Sequence, residues 1–210
     1  ANYRIFCSTL GVDAERCVLS KQVHRADVKV VLESDAGAGL LRPQDYEADA
    51  LVTNVPGLAL TIFSADCIPT LYYDPVTRCI GAAHAGWRGT ALGIAAKTIR
   101  TMERVYGADA KNIRAAIGPG KCCFETTDDV PAAMHSALGT AAEAYMTQEA
   151  NGKWHVDLKA LNAHWMRQAG VAAEHISVSA ACTACSTDLY WSHRIVGDAR
   201  GSQAAMICIN

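Results

Sequence analysis

Six short apolar runs limit what this 210-residue chain can become. They fall at 58–63, 70–73, 79–83, 113–117, 176–180 and 204–209, and each reads as a strand, too short for a buried helix and flanked by turn-forming residues. Asp74-Pro75-Val76-Thr77 joins the second and third as a tight hairpin. Helical spacing takes over between the later runs. At 91–106, Leu92, Ala95, Ile99, Met102 and Tyr106 recur on one side and Gly107 stops the helix. At 157–169, Leu158, Leu161, Trp165 and Gln168 share a side, with Gly170 after them. The stretch 129–138 reads as a third helix, with Pro131 tolerated only in its first turn. The weakest connection, 140–153, is polar and ends in the turn signal Asn151-Gly152. Strands first, then helix–strand alternation, then a closing strand predict an α/β (α+β) chain with a mixed sheet or two and helices outside.

Composition narrows the class. With 50% hydrophobic and 19% charged residues, and neither repeat nor linker, the chain reads as one domain, 1–210. A chain of this length buries about 70% of its unfolded surface and needs no disulfide or metal merely to fold. Nineteen basic residues against 21 acidic, a formal net of −2, exclude a broad nucleic-acid footprint but not a local basic pocket. No apolar run approaches the roughly 20 residues of a membrane span, and the first residues lack a signal-peptide layout. The nine cysteines are odd in number and scattered, which predicts reduced thiols and a cytoplasmic protein. The chain opens on Ala rather than Met and reads as processed or truncated.

Three segments concentrate residues capable of chemistry: Lys21-Gln22-Val23-His24, Ser64-Ala65-Asp66-Cys67, and Ala83-His84-Ala85-Gly86-Trp87-Arg88-Gly89-Thr90. His24, Cys67 and His84 are borderline-soft ligands suited to Zn²⁺ or a copper ion. Their separations match no zinc finger, so they either converge through the fold, as three-ligand catalytic sites do, or serve structure alone. Gly86 and Gly89 let backbone approach a ligand closely, the helix behind them points free N–H groups the same way, and Arg88 adds a fork of donors for phosphate or carboxylate. The bland reading is a strand-to-helix turn braced by an arginine.

Other segments are less specific. Gly118-Pro119-Gly120-Lys121-Cys122-Cys123-Phe124-Glu125 is a Gly loop, read as a turn or as a pocket wall with Glu125 as a general acid. Adjacent Cys122 and Cys123 do not easily face one metal from an extended backbone. Cys182-Thr183-Ala184-Cys185 is a lone CxxC without a second pair, read as surface or core thiols rather than a zinc ribbon. Tyr190-Trp191-Ser192-His193-Arg194 reads as a base-stacking, anion-binding wall or as an amphipathic strand.

Taken in order, QVH, ADALVTNVPGLAL, SADCIPTLYYD, AAHAGWRGT, AIGPGKCCFE and the late CTAC…SHR resemble the YfiH-type family, also called the laccase-domain or multicopper polyphenol oxidase family and more recently purine nucleoside phosphorylase. The resemblance covers essentially the whole chain, and the ADC and HAGWRG motifs together are highly specific. It implies a compact α/β fold of two mixed sheets packed between helices, and an N-terminal family segment missing here. It implies a Zn²⁺ site at His24, Cys67 and His84, with Cu²⁺ the alternative. It implies phosphorolysis of adenosine, inosine and methylthioadenosine and deamination of adenosine. Three departures stand out: Arg25 replaces a Gly common after QVH, Ser192-His193-Arg194-Ile195 replaces SYRR, and Gly201-Ser202-Gln203-Ala204 lacks the Arg of GRMA.

On this reading Cys67, His84, Asp66 and Arg88 carry catalysis, with Asp66 or Glu125 shuttling a proton. Arg88, Gly86, Gly89 and Arg194 hold phosphate or nucleoside. The expected partners are small molecules, a purine nucleoside and phosphate, with neither nucleic acid nor membrane; oligomeric state is left open. A laccase-like polyphenol oxidase is the alternative, although seven His and no His-x-His suit a blue multicopper enzyme poorly. A metal-free hydrolase with Cys67 as nucleophile, or a structural metal protein, stands behind it.

Overall fold

The computed structural model describes residues 2–122 and 124–210; Ala1 and Cys123, and with them the question of which way Cys123 faces, lie outside. From the N-terminus run α1 (Asn2–Thr9), β1 (Cys17–Leu19), β2 (Val28–Val30), β3 (Ala50–Thr53), β4 (Ala59–Ser64), β5 (Ile68–Asp74) and β6 (Cys79–Ala85). Then come α2 (Trp87–Ala91), α3 (Ile94–Tyr106), β7 (Arg114–Ile117), β8 (Glu125–Thr126), α4 (Asp129–Leu138), β9 (Met146–Gln148) and β10 (Trp154–Val156). The last elements are α5 (Leu158–Gln168), β11 (Ile176–Val178), α6 (His193–Val196) and β12 (Gln203–Cys208).

Six strands form the large mixed sheet, in the order β11-β7-β5-β6-β3-β2. Its middle four strands are mutually antiparallel, while β11 and β2 run parallel to β7 and β3 at the edges. A second mixed sheet has β4 between parallel β1 and antiparallel β12. A third, small antiparallel sheet is β8-β10-β9.

Alternation along the strands decides which face of the large sheet each side chain joins. Ile68 and Tyr72 of β5, and Ala83 and Ala85 of β6, pack into a core with Ile94, Ile99 and Met102 of α3 and Leu161 and Met166 of α5. Leu71 and Tyr73, with Ile80 and Ala82, point the other way and meet Leu60 and Ile62 of β4. The large sheet is therefore covered by helices on one face and by the second sheet on the other, which is why its strands read as nearly continuous apolar runs.

The α/β class stands, with the small third sheet added to the two expected. The expected helix at 91–106 is broken in two. Gly93 adopts φ +72°, a left-handed turn that costs other residues about 1–2 kcal/mol, so α3 starts after it and Leu92 is left exposed. In α5 the buried positions include Met166, and Gln168 is exposed. The Asn151-Gly152 turn closes the β9–β10 hairpin, with Glu149 N–H donating to the Lys153 carbonyl at 2.8 Å. Strands β1, β2, β3, β8, β9 and β10 escaped the sequence reading; they span only two to four residues, whereas β7 and β11, equally short, were read from the five-residue runs 113–117 and 176–180 that extend past them.

Leu60 lies fully buried between the two larger sheets. Leu60→Ala should lower unfolding free energy by about 2–5 kcal/mol, read from urea denaturation. A loss well under 1 kcal/mol would mean that the sheet-on-sheet interface is not a packed core.

Candidate active site

Asp49 precedes β3 and is completely buried. Its carboxylate accepts the backbone N–H groups of Val23, His24 and Arg25 at 3.1, 3.0 and 2.8 Å, and the Nδ1–H of His84 at 2.8 Å. The β3–β6 register pairs Ala50 with Ala83, and the next residue on each side is Asp49 opposite His84, whose N–H donates to the Asp49 carbonyl at 2.7 Å. One carboxylate thus clamps the loop carrying His24 and the ring of His84. Bonding Nδ1 to a carboxylate leaves Nε2 of His84 as the available ligand atom.

Cys67 arrives from the neighbouring strand. Asp66, at φ +86°, turns the chain out of β4 and into β5, where Pro69 pairs with His84. Residues two apart share a face, so Cys67 and His84 project from the same side and end of the large sheet. Cys67 Sγ lies 3.9 Å from His24 Nε2. The two imidazoles stand edge to face, centroids 4.8 Å apart. One ligand atom from each of the three residues lies within 4.8 Å of the other two. The corresponding edges around a bound zinc are about 3.3–3.8 Å, so a small closure brings the set onto one ion. A Cβ on Gly86 would stand 3.0 Å from His24 Cδ2 and 3.2 Å from Cys67 Sγ, so only glycine keeps that space clear.

The electrostatics suit a ligand set. Burial pushes the Asp49 carboxyl up, but the His84 ring and the N–H groups of Arg25 and Val23 outweigh burial and hold it below its usual range. Burial likewise pushes the Cys67 thiol up, yet hydrogen bonds to His24 and His84 bring it down to about 6. For His84, burial lowers the imidazole, and the bonds to Asp49 and Cys67 reverse this and raise it to about 9. These shifts favour the Cys67 thiolate, and a cation that takes Nε2 of His84 must displace the proton that Asp49 and Cys67 stabilise there.

These residues line a cavity of about 590 Å³, within the range of small-molecule sites. Phe63, Trp87 and Phe124 contribute aromatic wall, and Lys121, His193, Arg194 and Arg200 contribute basic groups. Lys121 Nζ and the Arg194 guanidinium sit over the Phe124 ring, 5.6 and 5.8 Å from its centroid. Asp66 also lines the cavity, but its carboxylate oxygens accept Thr183 Oγ1–H at 2.7 Å and the Arg194 N–H at 2.8 Å.

The other expected residues fall elsewhere. Arg88 is outside the lining, its guanidinium stacked on Trp87 at 4.2 Å from the ring centroid. Gly89 packs on the backbone of Arg25, where a Cβ would come within 2.9 Å of the carbonyl oxygen. Glu125 is paired with Lys153, whose hydrogen bond lowers its pKa and keeps it ionised, a poor general acid at neutral pH; it does not line the cavity. Of the Tyr190–Arg194 stretch, His193 and Arg194 reach the cavity and the two aromatics do not. Asp49 was missed. Its signal was its place as the last of three alternating acids, Asp45, Glu47 and Asp49, directly at the head of the apolar run Ala50-Leu51-Val52.

An α/β chain with a His–Cys–His cluster at the floor of a cavity walled by aromatic and basic side chains is the class this geometry defines. The family described as multi-copper polyphenol oxidoreductase laccase matches residues 1–210, and the chain belongs to that family. It is 36% identical to purine nucleoside phosphorylase YlmD of Geobacillus stearothermophilus, over 98% of this chain and 77% of that one. It is 35% identical to adenosine deaminase RL5 from an unknown prokaryotic organism, over 90% of this chain and 73% of that one. The crystal structure of the Bacillus licheniformis hypothetical protein YfiH superposes with a TM-score of 0.94 at 32% identity, covering 100% of this chain and 80% of that one.

Asp49→Asn keeps the shape of the clamp but removes the charge that fixes the His84 tautomer. It should weaken zinc binding about 10–100-fold in chelator competition. Unchanged affinity would show that Asp49 fastens the His24 loop without acting on the ligand ring.

Proposed function

We propose that this chain is a metal-dependent enzyme acting on purine nucleosides, cleaving the glycosidic bond of adenosine, inosine or methylthioadenosine with phosphate and removing the 6-amino group of adenosine. The observation that carries this reading is the His24–Cys67–His84 cluster at the floor of an aromatic and basic cavity. The relatives named for these two activities, similar over nearly the whole chain, point the same way.

Two imidazoles and a thiolate fit Zn²⁺, with Cu²⁺ also compatible, and His24, Cys67 and His84 would hold it. When bound, such an ion supplies Lewis acidity. Everything else falls to the chain. Asp49 holds His84 as a ligand and ties down the His24 loop. Phe124 and Trp87 give a purine ring flat apolar surfaces. Lys121, Arg194 and Arg200 give phosphate a positive wall, and Arg194 adds two-pronged donor geometry. Asp66, with both oxygens engaged, positions the Thr183 and Arg194 segments around the cavity. Phosphate is assigned to this wall rather than to Arg88, which braces Trp87 from outside.

Two alternatives weaken on the same geometry. A metal-free Cys67–His84 hydrolase has no use for His24, whose Nε2 faces the thiol. A multicopper oxidase needs several histidine-rich ligand groups. Among the described residues just two groups of three ligand side chains converge, and only one contains histidine.

Stripping metal with a strong chelator should abolish nucleoside turnover, and Zn²⁺ should restore it. Activity untouched by full metal removal would refute the reading. Arg194→Lys should lower phosphorolysis roughly tenfold to a hundredfold, the worth of one charge-assisted hydrogen bond, and deamination far less. Arg88→Lys should lower both alike. If Arg88→Lys instead spared deamination and Arg194→Lys did not, the phosphate would belong at Arg88.

A further inference from the structure

A second convergence of soft ligands lies outside the centre just described. Cys122 follows the loop that leaves β7, and Cys182 and Cys185 lie in the loop after β11. Their three sulfurs lie within 4.8 Å of one another. Around a tetrahedral zinc with bonds of about 2.3 Å, thiolate sulfurs sit about 3.8 Å apart, so this trio is already near the required spacing. The lone CxxC had no partner pair in the sequence. The fold supplies its third ligand from a different strand end.

We propose that Cys122, Cys182 and Cys185 bind a second metal ion of the zinc class, structural in role and separate from the His24–Cys67–His84 centre. Backbone geometry shapes the site. Ser186 N–H donates to the Cys182 carbonyl at 3.1 Å, forming the turn that holds both CxxC sulfurs together. Cys122 N–H donates to Cys182 Sγ at 3.3 Å, which ties the two loops together at the Cys182 sulfur. Lys159, buried, donates Nζ to the carbonyls of Ser179 and Ala181 at 2.8 Å each, bringing positive charge to the segment entering Cys182. That charge offsets the net negative of three thiolates on a divalent ion. Cys122 and Cys185 are exposed, which gives the ion a way in. Binding forms three metal–sulfur bonds and releases a proton from each thiol still protonated.

The ion would act as a staple. Thr183 lies between two of the ligands, and its hydroxyl bonds Asp66, the neighbour of Cys67. Lys121 N–H, next to the third ligand, donates to the Asp66 carbonyl at 2.9 Å. Joining the two cysteine loops therefore fixes two of the three contacts that hold the Asp66 turn, the third being the Arg194 N–H.

Metal content of wild type, Cys67→Ser, Cys185→Ser and Cys122→Ser, purified under reducing conditions and loaded with zinc, tests this. Wild type should hold about two ions per chain and each variant about one. After cobalt substitution, Cys67→Ser should keep a strong thiolate-to-cobalt charge-transfer band, and Cys185→Ser and Cys122→Ser should lose most of it. One ion in wild type, lost wholly in Cys67→Ser and retained in both other variants, would overturn the proposal. So would a disulfide within the trio in anaerobically prepared protein, detected by alkylation without reductant. The functional reading fails differently, through nucleoside turnover that survives complete metal removal.

Discussion

A carboxylate with no exposed surface is among the more costly groups a fold can bury, and Asp49 is bearable only because four donors converge on it. Those donors are not interchangeable. Three are consecutive backbone N–H groups of a loop with no regular structure, and the fourth is the ring of His84. Satisfying Asp49 therefore arranges the site: the loop must wrap so that His24 comes beside His84, and His84 must present Nε2. Because Asp49 sits at the head of β3, which pairs with β2 and β6 in the large sheet, this arrangement is joined to a fully buried strand.

Strain is placed next to that anchor. Among the described residues three non-glycines have positive φ, and two of them are His24 at +60° and Asp66 at +86°. Each costs about 1–2 kcal/mol and persists only where surrounding bonds hold it. For His24 the holding bonds run to Asp49. For Asp66 they come from Thr183, the Arg194 N–H and the Lys121 N–H. The two ligand-bearing turns are thus held from opposite sides, one by the sheet and one by the loops that form the cavity wall.

What could be read without coordinates follows this division. The convergence of His24, Cys67 and His84 was open to expectation because His and Cys carry their chemistry in their type, and the fold does bring the three together. Strands of six or seven residues and the face of α3 were legible because periodicity accumulates over such lengths. Of the three-residue strands, β11 was read only as part of the run 176–180, and β1, β2, β9 and β10 were not legible. Nor was Asp49, whose role is set by a cross-strand register and by a loop that returns from the preceding element. Arg88 shows what spacing leaves open. Its neighbours suggested an anion seat, and in the structure its guanidinium lies over the Trp87 ring, a direction that spacing does not encode.

The cavity wall shows where specificity can change without loss of the fold. Phe124, Lys121 and Arg194 sit on segments outside the large sheet and are oriented by Asp66 and by each other. Replacing Phe124 disturbs no strand, but it removes the surface against which both cations lie, and so moves the charge as well as the ring. Arg25 works the other way: its N–H is committed to Asp49 while its side chain reaches toward Glu47, 3.9 Å away at the surface. The backbone of that position belongs to the ligand clamp and is fixed. The side chain is free to vary because the clamp uses only the N–H.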